Sequence, residues 1–102
     1  MTQNITASSL TLPDITPDKL QHLNYDILNR QQILRQIIST FETRYESSLP
    51  ELERKLENRE IEEHPTWEDS IEWRNALEQL NSARLSEKIF QWLQNLLTQS
   101  PN

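Results

Sequence analysis

Hydrophobic residues recur every three or four positions over two long stretches of the chain, and this spacing predicts two long amphipathic helices. The first helix is expected to begin at Thr16-Pro17-Asp18, where a capping threonine, a proline and an acidic residue follow one another. No break is predicted before Ser47, which gives a helix of about 29 residues, roughly 43 Å long. Its apolar stripe consists of Leu20, Leu23, Ile27, Leu34, Ile37 and Phe41, and a second seam is formed by Leu28, Ile38 and Tyr45.

Arg30 falls in this heptad pattern at a position where an apolar residue is expected. Two interpretations are open: a seam arginine that sets the register of the helices, or an edge arginine whose stem packs while its guanidinium stays in water. The second arrangement is the more common one and is favoured. In either case, a helix with two apolar seams needs partner helices from the same chain or from another copy.

A short helix is predicted next. Ser48 and Glu51 form a capping box at its start. One apolar face is expected, formed by Leu49, Leu52 and Leu56. The helix should end near Asn58 or Arg59, and Asn58 is the expected left-handed cap because the chain has no glycine.

The second long helix is predicted from Trp67 to about Thr98. His64-Pro65 turns the chain away from helical geometry just before it. Thr66 is expected to cap the helix, with Asp69 as its capping partner.

Two apolar stripes follow one another along this helix, and the spacing of apolar residues shifts by one position around Asn81-Ser82. The first consists of Trp73, Ala76, Leu77, Leu80 and Ala83. The second consists of Leu85, Ile89, Trp92 and Leu96, flanked by Phe90, Leu93 and Leu97. Either the helix kinks at this point, or the second stripe faces a different neighbour.

These patterns predict an all-α fold in which two long antiparallel helices are joined by a short helix and a corner. Residues 16–98 are the predicted domain, with 99–102 as a disordered tail and 1–15 as a flexible arm or a segment that orders on a partner. Each long helix has more apolar surface than one partner helix covers, so two copies are expected to form a four-helix bundle. The expected core and dimer contacts are Leu20, Leu23, Ile27, Leu34, Ile37, Phe41, Leu77, Leu80, Ile89, Trp92 and Leu96.

Composition supports helices and narrows the function. The 102 residues include no glycine and no cysteine, and there is also no valine. Missing glycine and valine disfavour strands and tight hairpins, and glycine-rich nucleotide loops cannot be formed. Missing cysteine excludes disulfides and thiolate metal sites and fits a cytoplasmic protein. No apolar run reaches the ~18 residues of a membrane span, and no signal peptide or membrane contact is expected.

The net charge of −6 is concentrated in one part of the chain. Between Glu51 and Asp69, eight acidic residues stand against three basic ones. We call this segment, which joins the two long helices, the acidic corner. It argues against direct nucleic-acid binding, which needs a basic surface, and favours a basic protein partner.

Metal binding and catalysis are not expected. His64 lies among glutamates, but the di-iron spacing is absent because Ile61 occupies the position three before it, and the other histidine, His22, is far away. No serine nucleophile turn and no apolar carboxylate pair is recognisable. No cofactor is therefore predicted, and an unusual enzyme would need a pocket with converging carboxylates.

Trp67 and Trp73 are six residues apart, or about 240° around a helix, so they cannot both face one core. One could be an exposed anchor for a partner, since tryptophan is enriched in binding hot spots. The pattern leaves open which one this is, and whether both anchor the corner. The predicted partner-binding residues are Glu62, Glu63, Trp67, Glu68, Asp69, Glu72 and Trp73.

About 40 of the 102 residues, Phe41 to Leu80, resemble a group of small bacterial helical proteins that are common in cyanobacteria. The matching positions are Arg44-Tyr45, Ser48-Leu49, Glu51, Glu53, Glu62-Glu63-His64-Pro65, Trp67-Glu68-Asp69 and Glu72-Trp73. The chain departs from the pattern at Glu46, where glycine is favoured. Many of these proteins look like antitoxin-type partners of small toxins, so the resemblance implies a non-catalytic binding protein. The alternative is a self-assembling helical scaffold without a regulated partner.

Overall fold

A computed structural model describes residues 16–98 as three helices, α1 (Pro17–Tyr45), α2 (Leu49–Glu57) and α3 (Thr66–Thr98), with no strand among these residues. The two long helices pack side by side, and α2 lies against α3 at the closed end of this hairpin. The all-α prediction is confirmed. The predicted arm 1–15 and tail 99–102 lie outside the described residues, and the pairing of two copies stays a prediction.

Local capping explains where α1 begins and ends. The Thr16 hydroxyl oxygen accepts a hydrogen bond from the Lys19 backbone N–H at 3.1 Å, as predicted. At the other end, Glu46 takes the left-handed conformation, with φ 50° and ψ 42°, and its N–H donates to the Glu42 carbonyl oxygen at 2.8 Å. Glycine adopts this conformation freely, whereas another residue spends roughly 1–2 kcal/mol on it.

The buried face of α1 differs from the predicted one. It consists of Ile27, Gln31, Leu34, Ile38 and Phe41, which follow steps of four and three. Gln31, and not Arg30, therefore occupies the seam position, and Arg30 is an exposed edge residue, as favoured. Leu23 is exposed and Ile37 is only partly buried. The prediction missed the buried face because it followed apolar residues alone, whereas the observed face includes the polar residue Gln31.

The buried side chain of Gln31 is the centre of a polar network between the two long helices. Its side-chain amide donates to Glu87 Oε1 at 2.8 Å and to the Ala83 carbonyl oxygen at 3.4 Å. Arg35 Nη2 donates to Gln31 Oε1 at 3.0 Å. A satisfied polar group in an apolar seam favours one register over others, so we expect Gln31 to favour the observed alignment of α1 and α3.

The helix α3 is uninterrupted from Thr66 to Thr98 and does not break at Asn81-Ser82. Its buried face is formed by Thr66, Ser70, Trp73, Ala76, Leu80, Ala83 and Phe90. The second predicted stripe does not join this face, and all four of its residues are exposed: Leu85, Ile89, Trp92 and Leu96. The change of step in the sequence thus marks a second face of one helix. None of the three helices is long and apolar enough to cross a membrane.

Local hydrogen bonds also define the two ends of α2. The Ser48 hydroxyl oxygen accepts from the Glu51 N–H at 3.4 Å, as predicted. At the far end, Arg59 and Glu60 donate their N–H groups back to the carbonyl oxygens of Leu56 and Lys55 at 3.1 and 2.8 Å. In this Schellman motif the left-handed residue follows the cap, and it is Arg59, at φ 59°. The prediction of Asn58 was therefore wrong by one residue.

Candidate functional site

Trp73 is an anchor of the core. Its side chain is 1% exposed and stacks on Phe41 and Tyr45 of α1, with ring centroids 5.8 and 6.4 Å away. Such a residue offers no surface to a partner. Its place among the predicted partner-binding residues is therefore corrected, because the aromatic end of α1 covers it.

Asp69 fastens α3 to α1. Its Oδ2 accepts hydrogen bonds from Arg44 Nη1 at 2.7 Å and from the Tyr45 hydroxyl at 2.5 Å. Burial, followed by the hydrogen bond to Asp69, raises the pKa of Tyr45. The predicted capping box with Thr66 is wrong, because donors on α1 bind the Asp69 carboxylate and Thr66 is itself the first, buried residue of α3. Asp69 is thus a structural residue of the corner.

Trp67 is the exposed tryptophan, with 53% of its surface accessible. Ile71, one turn later on the same face, is exposed as well. Both side chains border a groove of about 550 Å³ between α2 and α3, which we call the Trp67 groove. The groove is lined by Pro50, Glu53, Arg54, Leu56, Glu57, Trp67, Ser70, Ile71 and Arg74.

Trp67 is one of the predicted site residues, and the other eight residues that line this groove, Leu56, Glu57 and Ile71 among them, are not. The spacing of four between Trp67 and Ile71 is the signal in the sequence that points to a shared face. No comparable signal exists for Leu56 and Glu57, because they reach the groove through the packing of α2 on α3.

The arginines of the groove are held by glutamates. Arg54 pairs with Glu60 at 3.3 Å, and Arg74 pairs with Glu53. Within residues 16–98, Glu57 takes part in no ion pair and is exposed. The groove therefore keeps a negative edge after its own cations are neutralised.

The other predicted acidic residues do not line the groove and do not form one face with Trp67. Glu62 and Glu63 are exposed in the connector before α3. Glu68 lies about 100° and Glu72 about 140° around α3 from Trp67, and both are exposed. The seven predicted residues thus divide into one exposed aromatic anchor, four exposed flanking acids and two structural residues.

His64 and Glu68 form an exposed pair at the start of α3, with His64 Nδ1 2.9 Å from Glu68 Oε2. The hydrogen bond to Glu68 raises the pKa of His64, and the same contact lowers the pKa of Glu68. Among the residues described, no three His, Asp or Glu side chains converge closely enough to hold a metal ion.

No protein-family model, no curated protein and no solved structure matches the chain. The resemblance of Phe41–Leu80 to small bacterial helical proteins stays a prediction.

Proposed function

We propose that the protein is a non-catalytic, cytoplasmic protein-binding module of an antitoxin-like kind, which holds a basic protein partner such as a small toxin at its acidic corner. The observation that carries this proposal is the exposure of Trp67 beside Ile71 in the Trp67 groove. A half-exposed tryptophan next to an apolar neighbour is the arrangement from which binding hot spots are built.

The apolar part of the groove provides a useful amount of binding energy. A tryptophan buries about 150–250 Å² when it is fully covered. With 53% of Trp67 still accessible, a partner could cover roughly 80–130 Å² more. At about 25 cal/mol per Å², this contributes roughly 2–3 kcal/mol, or about 30- to 150-fold in affinity.

The charge of the corner selects the kind of partner. Eight acidic and three basic residues lie between Glu51 and Asp69, and the arginines of the Trp67 groove are already paired. An exposed negative surface of this kind attracts a basic protein and increases its rate of association. Because the charges are exposed, salt should weaken the attraction.

The test is co-expression with the product of the neighbouring reading frame, which the proposal expects to be small and basic. Wild-type protein should retain this product on an affinity column, and Trp67→Ala should lose it. Trp92→Ala is the matched control, because Trp92 is 60% exposed and lies towards the opposite end of α3. Retention by Trp67→Ala equal to that of the wild type would overturn the proposal.

A pair of charge variants tests the acidic corner separately. Glu62→Gln with Glu63→Gln removes two charges from the corner, whereas Asp18→Asn with Asp26→Asn removes two from the first half of α1. Only the first pair should weaken retention. Asp69 is left intact, because its removal would break the contacts with Arg44 and Tyr45. Circular dichroism of each variant verifies that the helices are kept.

The second candidate is a self-assembling helical scaffold, and the exposed apolar stripe of α3 favours it. The two candidates differ in the same experiment. A scaffold self-associates but retains no product of the neighbouring frame, with or without Trp67.

A further inference from the structure

The second half of α3 exposes an apolar stripe that nothing in residues 16–98 covers. Leu85, Ile89, Trp92 and Leu96 are 58%, 51%, 60% and 50% exposed. They follow steps of four, three and four along the helix, so they form one continuous row about 17 Å long. We call this row the α3 stripe. Contiguous apolar patches on soluble monomers often mark binding surfaces.

The apolar surface continues from the α3 stripe onto α1. A groove of about 560 Å³ lies between the two long helices at this end, and Leu23, Ile27, Ile89 and Leu93 are among its lining residues. Leu23 is exposed at its edge. A partner that covers the α3 stripe would therefore also meet the margin of α1.

We propose that the α3 stripe is the contact between two copies of this chain. The two copies pack antiparallel around a two-fold axis that crosses the stripe midway between Ile89 and Trp92. An axis at this point places Leu85 of one copy opposite Leu96 of the second, and Ile89 opposite Trp92. Each apolar side chain then meets an apolar side chain, and every contact occurs twice. This self-complementarity is what a two-fold interface requires.

Charge also favours a second copy in this orientation. The ten residues from Ile89 to Thr98 contain no charged side chain, so two chains of net charge −6 can approach there. Under the proposed axis, Arg84 and Lys88 of one copy lie opposite Leu97 and Leu93 of the other. Between these facing positions of α3, no like charges are brought together.

The positions of the two acidic corners favour the antiparallel over the parallel arrangement. Thr66 is about 37 Å along α3 from the proposed axis, so the antiparallel pair keeps its corners roughly 70 Å apart. A parallel pair would instead set the two acidic corners side by side. The roughly 70 Å between the corners of the antiparallel pair exceeds the screening length of physiological salt several-fold, so their charges do not repel each other there.

The size of the α3 stripe indicates a reversible dimer. Trp92 has roughly 90–150 Å² still to bury, given its 60% exposure. Four side chains of this kind amount to a few hundred Å² per copy, less than the ~800 Å² per partner of a standard stable interface. The dimer should therefore dissociate on dilution.

Sedimentation equilibrium over a wide range of protein concentration tests the interface. The wild type should pass from dimer to monomer on dilution. Trp92→Ala should raise the dissociation constant at least ~30-fold, as expected for a tryptophan hot spot. Trp67→Ala, the matched control with 53% exposure in the acidic corner, should leave it unchanged. A wild type that is monomeric throughout, or an unchanged constant for Trp92→Ala, would overturn the proposal.

Disulfide cross-linking tests the orientation, because the natural chain contains no cysteine. A mixture of Leu85→Cys and Leu96→Cys proteins should form a mixed covalent dimer under mild oxidation, and neither variant should cross-link with itself. Self-linking of Leu85→Cys would show a parallel contact and contradict the proposed axis. The inference does not rest on the proposed function, because Trp92→Ala tests dimerisation and Trp67→Ala tests partner capture.

Discussion

Replacing Trp73 with alanine should destabilise the protein more than any other single tryptophan substitution. Trp73 is 1% exposed and stacks on two aromatic rings of α1. Removing a buried tryptophan costs about 3–5 kcal/mol, and the lost aromatic pairs place this site towards the upper end. The free energy of unfolding of a single domain is about 5–15 kcal/mol, so this loss is a large fraction of the stability.

Urea unfolding followed by circular dichroism measures this loss. With a typical urea slope of about 1.5–2 kcal/mol per molar, a loss of ~4 kcal/mol lowers the midpoint by roughly 2–3 M. Trp67→Ala is the matched control, and as a surface change it should shift stability by no more than about 0.5 kcal/mol. The scans need equal protein concentrations, because self-association adds to apparent stability. Equal destabilisation by the two substitutions would refute the assignment of Trp73 to the core.

Three further predictions concern the seam, a helix cap and the exposed histidine. Gln31→Ala should cost about 1–3 kcal/mol in urea unfolding, because it removes the hydrogen bonds to the half-buried Glu87 and to the Ala83 carbonyl oxygen, whereas the exposed neighbour Gln32 should tolerate alanine. Glu46→Gly should stabilise the protein by about 0.5–1 kcal/mol, since glycine accepts the left-handed cap more readily. Glu68→Gln should lower the pKa of His64 towards its ordinary value of 6.5, measured by NMR titration.

Each of these predictions has a definite contrary result. Equal effects at positions 31 and 32 would exclude Gln31 from the seam, and destabilisation by Glu46→Gly would exclude the left-handed cap. An unchanged pKa of His64 in Glu68→Gln would show that the pair does not form in solution.

The same pair sets a pH dependence of stability. The raised pKa of His64 contributes stability that is complete below about pH 6.5 and is lost as the pH rises through the raised value. The lowered pKa of Glu68 contributes stability that is complete above about pH 4.5 and is lost as the pH falls through the lowered value. Stability from this pair is therefore greatest between these two pH values, and Glu68→Gln should remove this optimum.

The starts of α1 and α2 could be predicted from the sequence because their capping is local. Thr16 and Ser48 each bind a backbone N–H three residues later, and no distant residue decides this. The α1 seam could not be assigned correctly, since Gln31 finds its partner Glu87 56 residues further on. A glutamine of the seam and a glutamine of the surface look alike until that partner is known.

The candidate site shows the same division between local and distant determinants. Helical periodicity alone establishes that Trp67 and Trp73 point in different directions. Phe41 and Tyr45 then decide that Trp73 is the buried one, and Arg44 and Tyr45 turn Asp69 inward. These contacts depend on how α1 packs against α3, which the spacing of residues within α3 does not contain.

The proposal that the Trp67 groove holds a basic partner is tested most directly by calorimetric titration of the co-purified partner at low and high salt. Trp67→Ala should weaken binding about 30- to 150-fold and Trp92→Ala by little, while added salt weakens binding to the wild type. Equal affinities for wild type and Trp67→Ala, or binding that salt does not affect, would contradict a partner held by Trp67 and the acidic corner.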